Sequence, residues 1–184
     1  MTQKQSLTLI ELGSTYREEQ LDRVERWLGN TIAIQIALMD ITNKALKEIK
    51  EPHIHEALSK MEKSNQRHQD HAESLYKIIS KEYTKQRNQL MGKGTALLEQ
   101  GLFSFQDLMG GAVGSWKYMH QLVSLNQQVM GAFAILEQLG LALGMKDFVD
   151  TVFKIVHEKQ MHQLMLQEYM LEMASISILY KNTV

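Results

Sequence analysis

Lys159 and His162, three positions apart, interrupt a stripe that is otherwise apolar: Phe148, Val152, Ile155, Leu166, Tyr169, Met173, Ile176 and Tyr180. Steps of four and three residues describe one face of a long amphipathic helix. An imidazole can ligate a metal or carry a proton, whereas a lysine in such a place needs a partner or gives up its charge. Buried stripes rarely carry either residue, so the interruption calls for a cause. Asn65 and His68 break a second stripe with the same spacing, set among Ile54, Leu58, Met61, Ala72, Leu75 and Ile79. Gln35 breaks a third, running from Leu21, Val24, Leu28 and Thr31 to Leu38, Thr42, Ala45 and Ile49, and Asn126 a fourth, among Met119, Leu122, Val129, Phe133, Leu136, Gly140 and Leu143. Amides both donate and accept hydrogen bonds, so these six residues could hold a metal, a small ligand or one another.

Four helices must position them. The first is expected from about residue 16, with Arg17, Glu18, Glu25, Arg26, Lys44, Lys47 and Glu48 as its solvated face, and Pro52 ends it and opens the second. The second is expected to reach about residue 83. The third spans about 115–143 and the fourth about 148–180, joined by a tight turn at Met145 to Asp147, near which Gly140 and Gly144 permit close packing or reversal. Residues 1–15 read as a loose arm. Residues 84–114 read as a crossover containing a short helix, too apolar for a free linker and too glycine-rich for one straight helix. Gly110, Gly111 and Gly114 lack the preceding strand and the following Lys-Ser/Thr of a phosphate loop. Counted from the turns, Gln35 lies 17 residues before Pro52 and His68 16 after it, while Asn126 lies 19 before Met145 and His162 17 after it. The four polar breaks therefore fall at one level of an all-α antiparallel four-helix bundle, two hairpins joined by a long crossover.

Composition agrees with a single helical domain over 1–184. The chain has one proline, twelve methionines and few aromatics, a mixture dominated by good or neutral helix formers. Its 20 Lys and Arg against 21 Asp and Glu lack the basic excess of a nucleic-acid binder. Without cysteine there is no disulfide, thiolate metal site or cysteine nucleophile. The polar start, Met1 to Glu11, is unlike a secretion signal, so a cytoplasmic location is expected. The apolar run 129–145 contains Glu137 and Gln138 and is shorter than the ~20 residues of a membrane span; no membrane association is expected.

These features resemble the ferritin-like superfamily. In its di-iron and di-manganese members the four helices supply Glu, Glu-x-x-His, Glu and Glu-x-x-His. The resemblance places those positions at Gln35, at Asn65-Gln66-Arg67-His68, at Asn126 and at Lys159-Gln160-Met161-His162. Both histidines keep their places and all four carboxylates are replaced. The segment Leu136-Glu137-Gln138-Leu139-Gly140 and the helix after it are similar to the small stress-associated ferritin-like proteins of bacteria. Two divalent cations need anionic oxygens to offset their charge, and the matching positions here are three amides and a lysine, so the family's iron chemistry is not expected to carry over.

Two readings follow. In the first, the chain is a non-enzymatic ferritin-like module without a cofactor, its ancestral site now a hydrogen-bonded polar cluster of Gln35, Asn65, His68, Asn126, Lys159 and His162; it binds a protein partner, a small ligand or a second copy of itself. In the second, His68 and His162 hold iron, manganese or zinc with a shifted carboxylate, Glu158, Glu62 or Glu137, and support oxidase or peroxide-scavenging chemistry. Glu62, one turn from Asn65, is also the expected partner of Lys159. His71, three residues after His68, could join it in holding a transition metal with Glu62 or Glu158, and a solvated face explains it equally well; His157 is expected on a solvated face, His53 and His55 at a helix start, and Met61, Met119 and Met173 in the core. Trp27, Phe105, Trp116 and Tyr118 fall beside the stripes, and such aromatics suit an interface; a homodimer is expected.

Overall fold

A computed structural model describes residues 14–83 and 115–179; the expected arm falls almost wholly outside them, and the expected crossover and Phe105 lie entirely outside. The described residues form four long helices and no strand: α1 (Ser14–Glu48), α2 (Pro52–Ile78), α3 (Trp116–Ala142) and α4 (Lys146–Ala174). A single π-helical turn, Ser175–Leu179, continues α4. Helix α1 packs on α2 and α3, and α4 packs on α3 and α2. None of these helices is long and apolar enough to cross a membrane.

The turns follow from local chemistry. Glu51, the residue before Pro52, is held extended at φ −59°, ψ 118°, because the proline ring excludes the helical region for its predecessor. Pro52 then occupies the first turn of α2, where a missing N–H costs nothing. Helix α2 stops five residues short of the expected 83. Ser80 takes φ 56°, and the bonds from Ser80 N to Lys77 O and from Lys81 N to Tyr76 O close the end in a left-handed cap of the Schellman type. Gly144 (φ 66°) closes α3 in the same way, with Met145 N donating to Gly140 O at 2.9 Å. At Gly140 an added Cβ would lie 2.8 Å from Val149 Cγ2 and 2.9 Å from Phe148 Cδ1. The absence of a side chain there lets α3 and α4 approach.

The stripes read from the sequence are the core. Leu28, Leu38, Ala45, Leu58, Leu75, Met119, Leu122, Val129, Phe133, Leu136, Phe148, Val152, Ile155 and Leu166 are wholly buried, and burial of each large apolar side chain contributes about 1.5–3 kcal/mol. Two tryptophans stitch the helices together. Trp27 Nε1 donates to Ala132 O and Trp116 Nε1 to Met170 O, both at 3.0 Å. Trp116 is thus a buried residue of the monomer, 7% exposed, and not an aromatic on an open flank; the indole is drawn inward because its N–H finds a carbonyl at the end of α4. Tyr118 also packs against the core.

Candidate functional site

Gln35, Asn65, Asn126 and Lys159 are joined by hydrogen bonds inside the bundle, and the rings of His68 and His162 lie near each other. The amine of Lys159 on α4 donates to Asn65 Oδ1 on α2 at 2.6 Å. Gln35 on α1 donates from Nε2 to the backbone carbonyl of Asn65 at 3.0 Å, and Asn65 Nδ2 reaches Thr42 Oγ1 at 3.5 Å. Asn126 on α3 donates from Nδ2 to the carbonyl of Lys159 (3.0 Å) and to Gln163 Oε1 (2.9 Å). Gln35, Asn65, Asn126 and Lys159 are fully buried and His68 nearly so, while His162 is half-buried. The His68 and His162 rings lie 6.0 Å apart, tilted by 44°.

Glu158 forms the edge of the site. Its Oε2 lies 2.8 Å from His68 Nε2 and 3.4 Å from Arg67, and Arg67 is held in turn by Ser64 Oγ. With the carboxylate accepting, neutral His68 carries its proton on Nε2 and its lone pair on Nδ1. Burial, first of all, lowers the His68 pKa to about 2, with repulsion from Lys159, His162 and Arg67 adding to it. Burial likewise lowers His162 to about 4, with Lys159 and Arg67 contributing. Lys159 is pushed far below an ordinary lysine by desolvation, against a smaller upward pull from Glu158. The centre is therefore a set of nitrogen and amide groups in which burial disfavours positive charge, with one carboxylate at its rim.

Gln35 and Asn126 spend their NH2 groups on neighbouring helices, which leaves their oxygens over, whereas Asn65 Oδ1 is taken by Lys159. Gln35 Oε1, His68 Nδ1, Asn126 Oδ1 and His162 Nδ1 are buried without a hydrogen-bond partner, one from each helix. Buried acceptors without donors cost about 1–3 kcal/mol each and are ordinarily met by water or a ligand. The chemistry offered is acceptance of hydrogen bonds, or lone-pair donation, from neutral atoms.

Several expectations change in position. The partner of Lys159 is Asn65 Oδ1, and the carboxylate whose charge acts on it is Glu158, not Glu62; Glu62 sits half-buried one turn away on α2. Glu137 lies beyond the site, eleven residues along α3 from Asn126, or roughly 16 Å at 1.5 Å per residue. Among the described residues no group of three or more His, Asp or Glu side chains is placed to hold a metal ion. His71 and His157 are exposed. His53 bridges α2 to α4 through Glu172 at 3.0 Å and meets the Tyr169 ring edge-on. Gln163 and Thr42 join the cluster without having been singled out in the sequence. Gln163 lies four residues past Lys159 and three before Leu166, inside the buried arc, but spacing does not name its partner; Thr42 lies on the stripe but reads there as a neutral filler. No family model matches the chain, and no curated protein matches it.

Proposed function

We propose that the chain is a non-enzymatic member of the ferritin-like superfamily, an antiparallel four-helix bundle of two hairpins joined by a long crossover, whose di-metal level has become a neutral hydrogen-bonded cluster. The observation that carries this reading is the 2.6 Å bond from Lys159 to Asn65: two positions that would each offer a carboxylate to a metal pair are spent on one another. Contacts of Asp22 with Lys81, of Gln35 with Asn65 and of His53 with Glu172 support the antiparallel course of α1, α2 and α4. The four unpartnered acceptors suit a small molecule that donates hydrogen bonds, water included, and the module serves binding, in the manner of the stress-associated relatives it resembles.

A second reading rests on one specific feature. A carboxylate that holds the Nε2–H of a histidine, leaving Nδ1 bare, is the arrangement that orients metal-ligating imidazoles, and Glu158 and His68 have it. A single iron, manganese or zinc ion on His68 and His162 would then provide oxidase or peroxide-scavenging chemistry. Thermal unfolding with each metal added in turn separates the two. Under our proposal no metal raises the midpoint of the wild type. A rise of several degrees that disappears in the His68→Ala, His162→Ala double variant establishes the second reading instead.

A further inference from the structure

We draw no further inference here: the strongest candidate, the exposed apolar face of α4 formed by Phe153, Met161, Leu164 and Leu171, carries nothing because nothing in the structure shows what covers it.

Discussion

The amine of Lys159 and the side-chain oxygen of Asn65 lie 2.6 Å apart, on α4 and α2, with both residues fully buried. The amide oxygen needs a donor, and the amine, whose charge burial disfavours, needs an acceptor. Replacing Asn65 with Leu removes the acceptor and should cost about 1–3 kcal/mol. Replacing Lys159 with Met keeps the length of the side chain and removes the burial of an ionisable group. It leaves only Asn65 Oδ1 unpaired, so its loss should be smaller, within about 1 kcal/mol at neutral pH. Urea unfolding of the two single variants and the double variant gives the coupling; the double should be more stable than Asn65→Leu alone.

The two core histidines make stability depend on acid. Unfolded, each ring titrates near 6.5; folded, His162 is lowered to about 4 and His68 to about 2. Above pH 6.5 both states hold the rings neutral. Below it the unfolded chain takes up protons that the folded chain refuses, so stability falls by up to about 1.4 kcal/mol per pH unit for each ring. The loss from His162 ends near pH 4 and that from His68 near pH 2. Lys159 acts over a different range in the same direction: its lowered folded pKa makes stability rise with pH until the unfolded lysine itself deprotonates, near 10.5. Unfolding free energies between pH 7.5 and 4.5 should fall in the wild type, and fall less steeply when His68 becomes Phe and His162 becomes Leu, with any remaining slope due to Lys159.

Glycines on α3 separate packing from propensity. Gly131 has no atom within 4 Å of an added Cβ, so Gly131→Ala should stabilise by about 0.4–1 kcal/mol, the usual gain of alanine in a helix. Gly140→Ala meets the side chains of Val149 and Phe148 below 3.0 Å and should destabilise by about 1–3 kcal/mol of overpacking, less that same gain. Thermal melts of the two variants should therefore shift in opposite directions.

Placing glutamates at the four positions where the proposed ferritin-like relationship puts them tests whether only charge is missing. Gln35→Glu, Asn65→Glu, Asn126→Glu and Lys159→Glu together would change the site from one lysine to four carboxylates beside two imidazoles. Four unpaired buried carboxylates should destabilise the metal-free quadruple variant severely, and iron or manganese should restore a cooperative melt by binding the folded state. Calorimetry with and without metal reads this directly.

Much of this was legible in the sequence, for a definite reason. Burial on a helix follows a period of 3.6, so almost every described stripe position from Leu21 to Met173 lands in the core, with Leu21, Leu143, His162 and Tyr169 the half-buried exceptions. The polar breaks were legible because Asn65, His68, Asn126 and Lys159 violate that pattern. Hydrogen-bond partners were not. Glu158 bonds His68 from the shoulder of α4, Gln163 bonds Asn126 from beside the stripe, and Trp116 turns inward toward the Met170 carbonyl. None of these contacts has a periodic signature, because each depends on how one helix lies against the next. The cap at Ser80 was missed for a related reason: a left-handed serine looks like any other serine in sequence.

The central claim, that a neutral hydrogen-bonded cluster occupies the level of a di-metal site, is tested most directly by elemental analysis of the wild-type protein after refolding with iron, manganese and zinc in turn, followed by desalting. The account predicts well below one equivalent of each per chain. Two equivalents of any of them, lost when His68 and His162 are both changed to Ala, would contradict it.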